Sequence, residues 1–191
     1  MKEKYQMLLD LVRQSYASVV WTHKIQEKQA EIYEKKYKRI ECANIFTAAI
    51  TSCGVFSSFY QDFWLIKVLT ILVSFATVFI ASYMKSFDYK TMGKENKEYA
   101  NRFLVIRNKL QSVIAEIHLM EKPIEEIQEC VETILNELNE CYVNAPSTTE
   151  KAVSRASDAL KVNKDYTFTN EEIDGFLPQS LRGIIKGDDK E

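Results

Sequence analysis

The feature that most constrains this chain is its long uncharged middle. From Cys42 to Gln61 no residue is charged, and from Phe63 to Met84 only Lys67 is. A helix crossing a hydrocarbon core of ~30 Å, rising ~1.5 Å per residue, needs ~20 mostly apolar residues. Both halves meet that length, so residues 42–84 are predicted to form a membrane hairpin with spans at about 42–61 and 63–84. Between them sits Asp62, flanked by Phe59, Tyr60, Phe63 and Trp64. Aromatic rings favour the membrane–water interface, so this reads as a short loop surfacing on the far side. Lys67 lies about one turn inside that interface. Its stem can snorkel outward, which brings its cost below the ~3 kcal/mol of a mid-bilayer cation. The competing reading is a hairpin buried in a soluble core, which sits poorly with the usual polar face of soluble helices. The first span is the more polar, with Asn44, Thr47, Thr51, Ser52, Cys53, Gly54, Ser57 and Ser58.

Charge outside the hairpin is segregated. The formal net charge of −2 hides nine Lys/Arg against six acids in residues 1–41 and seven against three in residues 85–110. In residues 111–142, Lys122 is alone among eight glutamates. Lys35, Lys36, Lys38 and Arg39 precede the first span; Lys85, Lys90, Lys94 and Lys97 follow the second. The far loop carries only Asp62, so the positive-inside rule places both termini in the cytoplasm of a multi-pass protein. The apolar stretch begins only after a long charged segment, so no signal peptide is expected. Cys42, Cys53, Cys130 and Cys141 show no CxxC spacing, and a reducing compartment predicts free thiols.

The flanks read as helix. Residues 1–41 lack Pro and Gly. Tyr5, Leu9, Val12, Tyr16, Val19, His23, Gln26, Ala30, Tyr33, Tyr37 and Ile40 alternate in steps of four and three, a heptad seam weakest at His23–Ala30. His23 reads as a polar packing residue rather than a ligand. A third helix, Asp88 to Met120, continues out of the second span with Tyr89, Met92, Asn96, Tyr99, Phe103, Ile106, Leu110, Val113, Ile117 and Met120 on one face. Pro123 opens a fourth, to about Tyr142, with Ile124, Ile127, Val131, Ile134, Leu138 and Cys141 inward and an acidic outer face. Residues 85–145 thus form a cytoplasmic helical pair, and residues 146–191 short helices and a tail. Ser147-x-x-Glu150 has capping-box form ahead of a short helix to about Leu160. Residues 162–169 read as an irregular linker, and Thr169-x-x-Glu172 repeats the capping form. The expected fold class is all-α: an integral membrane protein whose two-helix hairpin is continuous with a long-helix cytoplasmic bundle.

The first seam does not stop at the membrane. Continued past Ile40, its steps reach Asn44, Thr47, Thr51, Gly54 and Ser58. The second span offers a matching stripe, Thr70, Ser74, Thr77 and Ala81. Two readings stay open for Thr47, Thr51, Gly54, Ser58, Thr70, Ser74 and Thr77. Small residues let helices approach closely, and rings of hydroxyls can line a water-filled path in a homo-oligomer.

Catalytic patterns are missing from the sequence. The five glycines form no GxGxxG or P-loop, His23 and His118 belong to no HExxH or zinc pattern, and no serine sits in a GxSxG elbow. No catalytic residue, metal site, cofactor or nucleic-acid partner is expected.

Three stretches, KKYKRIECANIF, ASYMKSFDYKTMGKENKEYANRFLVIRNKL and FTNEEIDGFLPQSLR, resemble the SLATT family of bacterial two-span membrane proteins. The resemblance implies an effector of bacterial conflict or anti-phage systems in the inner membrane. There a nucleotide-signalling or sensor partner, encoded nearby, triggers pore formation or membrane disruption and kills or arrests the cell. No sensor domain is recognisable in the sequence, so the sensor is expected on another chain. A non-conducting adaptor that recruits a partner through its cytoplasmic helices is the alternative.

Overall fold

The computed structural model describes residues 2–60, 63–169, 172, 173 and 176. Five α-helices make up most of these residues: α1 (Lys2–Tyr60), α2 (Trp64–Ser86), α3 (Tyr89–Leu119), α4 (Ile124–Asn144) and α5 (Glu150–Ser157). No strand is present among them.

The absence of Pro, and of Gly before position 54, lets α1 run unbroken for 59 residues. At ~1.5 Å per residue that is about 90 Å, enough to pass through a bundle and then a bilayer in one rod. The predicted continuity between the first soluble helix and the first span is therefore realised. The second span and third helix are instead separated by a break at Phe87–Asp88. Asp88 caps α3: its Oδ1 accepts the Thr91 N–H at 3.0 Å and its Oδ2 accepts the Thr91 hydroxyl at 2.6 Å. Such an N-cap satisfies one of the donors that a new helix leaves orphaned. Met120, at φ 53°, ends α3 in a left-handed C-cap, and Pro123 precedes α4.

The polar flanks fold into a bundle of α1, α3 and α4. Its core joins Leu8, Leu9, Val12 and Val19 of α1 to Phe103, Ile106, Leu110, Val113 and Ile117 of α3, closed by Ile124, Ile127, Val131, Ile134 and Leu138 of α4. These are the predicted seams, with Leu8 added; Met92 and Met120, expected on the α3 seam, are exposed. Two polar contacts tie the bundle helices together. The Tyr5 hydroxyl donates to the Lys122 carbonyl at 3.0 Å, and Lys109 pairs with Glu137 at 2.6 Å.

Nearer the spans, α4 has ended and α5 takes its place against α1. Ala152, Ala156 and Ala159 are buried there, small enough for close packing. The Ser147 capping box does not form. Thr149 is the N-cap, and it gives both its N–H (2.9 Å) and its hydroxyl (2.8 Å) to Oε1 of the buried Gln29 instead of capping α5. A π-helical turn, Asp158–Val162, follows α5. The second capping box does form: Glu172 accepts the Thr169 N–H at 2.8 Å while Thr169 Oγ1 accepts the Glu172 N–H at 3.3 Å. Of residues 162–169, expected as a linker, Val162 ends the π-helical turn and residues 163–169 turn back onto α1.

Candidate membrane hairpin and the adjoining bundle

The apolar lengths of α1 and α2 lie side by side, uncovered by the rest of the chain. No residue in the most apolar part of either helix is buried. Phe46, Phe56, Phe75 and Phe79 are each about 70 % exposed, a continuous apolar surface of the kind that marks contact with a membrane or partner.

The stripe residues sit on the opposite, inner side of the pair, whereas Ser52 and Cys53 are exposed. Thr47, Thr51 and Gly54 of α1 and Thr70, Ser74 and Thr77 of α2 are all half-buried. Their hydroxyls are satisfied within their own helices. Thr47 donates to the Asn44 carbonyl (3.0 Å), Thr51 to Thr47 (2.9 Å), Thr70 to Ile66 (2.8 Å) and Thr77 to Val73 (3.0 Å). Gly54 lies directly against Thr70, whose methyl would stand 3.0 Å from a β-carbon built on the glycine. The predicted stripes thus face each other within one chain. Beside them a groove of about 400 Å³ opens between Ile50, Cys53, Gly54, Ile66 and Thr70. Asn44 Oδ1 is buried at the start of the stripe without a hydrogen-bond partner. Lys67 is exposed one turn into α2. Asp62 and the Ser58 side chain lie outside the described residues.

Where the hairpin meets the bundle, aromatic rings lock α1, α2 and α3 together. Tyr33 and Tyr89 stack at 5.9 Å, Phe87 and Tyr89 at 6.0 Å, and the Tyr83 and Tyr89 hydroxyls lie 3.0 Å apart. The Lys36 ammonium sits 4.2 Å over the Tyr89 ring, a cation–π contact. Gly93 of α3 lies beside Ala30 and Tyr33, where a β-carbon would make ordinary contacts of 3.5–3.6 Å. A cleft of about 420 Å³ opens here, with Glu34, Tyr37, Tyr89, Lys90 and Lys94 in its wall.

Deeper in the bundle the α1–α3 contact turns polar. His23, Lys24, Gln26, Gln29 and Asn96 are all buried. His23 is a packing residue, as its seam position predicted, stacked on Tyr166 at 5.4 Å. Burial pushes its imidazole down to about 4; Glu27 opposes this, and Arg107, Lys24 and Lys97 reinforce it. Burial alone would also lower the Lys24 ammonium. Its bonds to Asp165 (2.7 Å) and Glu27 (3.0 Å) outweigh that and hold it above its ordinary range. Sequence reasoning missed Lys24, Gln29 and the Asp165–Tyr166 pair. Lys24 and Glu27 have the spacing of a helical ion pair, the one local signal available.

Two apolar helices in a hairpin, emerging from a helical bundle, define the class: an all-α two-span membrane protein. The family model for the SMODS and SLOG-associating 2TM effector domain, family 4, matches residues 8–172. The chain belongs to this SLATT family, two-span effector domains of conflict systems. Neither a curated protein nor a solved structure matches it.

Proposed function

We propose that this protein is the membrane-acting effector of a bacterial anti-phage or conflict system. Copies assemble in the inner membrane, with both termini in the cytoplasm, and on a trigger form a pore or disrupt the bilayer, causing cell death or growth arrest. The trigger comes from a nucleotide-signalling or sensor protein encoded nearby. The chain acts without catalysis of its own. The observation that carries this reading is the unbroken α1, which joins the bundle seam to the polar face of the first span in one rod. Rearrangement of the bundle can then turn or splay the spans directly, as rigid-body switches do.

A second reading is a non-conducting membrane adaptor. It is favoured by the inward stripe, whose hydroxyls are already bonded to their own helices and half-buried within one hairpin. The two readings separate on controlled expression in bacteria, following a potential-sensitive dye and propidium uptake. Wild-type protein is compared with Thr51→Leu/Thr77→Leu, with and without the neighbouring gene. Depolarisation by wild type alone supports a pore lined by the stripe. Depolarisation by both supports disruption of the bilayer by other residues. No depolarisation under any condition, with partner capture retained, supports the adaptor.

A further inference from the structure

The polar layer between α1 and α3 is closed by a piece of chain from far away in sequence. Lys24 is only 5 % exposed, and a buried ammonium persists only when it is paired. Its partners are Glu27, one turn on, and Asp165 from beyond α5. Tyr166 completes the arrangement. Its hydroxyl donates to Glu27 Oε2 at 2.8 Å, its ring lies 4.6 Å from the Lys24 ammonium, and His23 stacks on it. On the same ring sits the Arg107 guanidinium of α3, at 4.9 Å. One side chain thus touches both long helices.

Three facts mark the segment as releasable. Lys164 and Tyr166 have φ of 53° and 70°, a left-handed conformation that costs non-glycine residues and is kept only where surroundings impose it. The flanking Val162 and Phe168 are 74 % and 63 % exposed, so little apolar burial holds the segment down. The layer beneath also holds unpaired polar atoms: His23 Nδ1, Gln26 Oε1, Gln29 Nε2 and Asn96 Oδ1 are buried without hydrogen-bond partners.

We propose that Lys24, Glu27, His23 and Arg107 form a docking slot for a carboxylate followed by an aromatic ring. In this structure the slot is closed in cis by Asp165 and Tyr166. A partner chain presenting the same acidic–aromatic pair takes the slot in trans. Detachment of the cis segment loosens α1 from α3 at the polar layer. That permeation follows from the loosening rests on the effector reading above; the slot itself does not.

The test uses the full chain in lipid nanodiscs, with hydrogen exchange as readout. Asp165→Asn and Tyr166→Ala, singly and together, are compared with wild type at equal helical content. Exchange in residues 20–30 and 93–107 is expected to rise at least tenfold in the double variant, and Tyr166→Phe, which keeps the ring, to fall between. A peptide of residues 161–169 added to the double variant is expected to restore protection, and the same peptide with Asn and Ala at the two positions is not. Unchanged exchange in the double variant, or no protection by the first peptide, or equal protection by both, overturns the slot. Dye release from liposomes is read separately. Raised exchange without release in any variant counts against the pore reading and leaves the slot standing.

Discussion

Gly54 and Thr70 meet across the hairpin so closely that a β-carbon on Gly54 would overlap the Thr70 hydroxyl. This contact sets the distance between α1 and α2, in the manner of small-residue interfaces between membrane helices. Gly54→Ala is expected to destabilise the hairpin by about 1–3 kcal/mol, the usual cost of overpacking. Thr70→Ala in the same chain removes the hydroxyl and methyl that obstruct the new β-carbon and should recover most of the loss. A double-mutant cycle on thermal unfolding in detergent micelles measures the coupling. Additive losses would mean that the two residues do not set the approach.

Gln29 makes the corresponding junction for α5. It is fully buried on α1 and accepts both the N–H and the hydroxyl of Thr149. Gln29→Leu leaves the Thr149 donors facing an apolar group, which costs about 1–3 kcal/mol for buried unpaired polar groups. The expected result is a lowered midpoint of thermal unfolding and faster exchange at Ala152 and Ala156, with the far core unchanged. Equal exchange across α5 would show that the alanine packing, not Gln29, holds the helix.

Phe103 is the largest fully buried side chain in the core and packs its ring 5.3 Å from Tyr142 of α4. Phe103→Ala is expected to cost about 3–5 kcal/mol, because both transfer energy and a residual cavity are lost. Circular dichroism against temperature should show the bundle melting earlier while the apolar hairpin keeps its helicity. An unshifted transition would place the core elsewhere.

Periodicity explains what the sequence made legible. Leu9, Val12 and Val19, or Phe103, Ile106 and Leu110, repeat at helical spacing, and that repeat is a direct consequence of a buried stripe on a 3.6-residue turn. The polar stripe in the spans was legible as a face for the same reason. Its neighbour was not, because a face does not name what it packs against; only the geometry sets Gly54 on Thr70. Lys24 and Gln29 lie one residue to the side of the seam, at positions that usually face solvent. They are buried because Asp165 and Thr149 come to them from 141 and 120 residues away. Nothing local encodes such a pairing. The Ser147 capping form misled for a related reason: Gln29 offers Thr149 a buried acceptor, and the cap moves to the residue that reaches it.

The buried imidazole gives the bundle a pH dependence whose sign is fixed. His23 titrates at about 4 in the folded chain and near 6.5 when unfolded. The unfolded chain therefore binds more protons between those values. The stability that neutral His23 contributes is fully present above about pH 6.5 and is lost as pH falls towards about 4. At pH 5 the loss relative to pH 7.5 comes to about 2 kcal/mol. Glu27, Lys24, Arg107, Lys97 and Tyr166 are the groups that face this ring. Substituting His23→Gln removes the titration while keeping a polar side chain in the layer. Denaturant unfolding at pH 7.5 and pH 5 should then show the gap between the two pH values narrowing in the variant. An equal gap in both proteins would assign the acid sensitivity to the carboxylates instead.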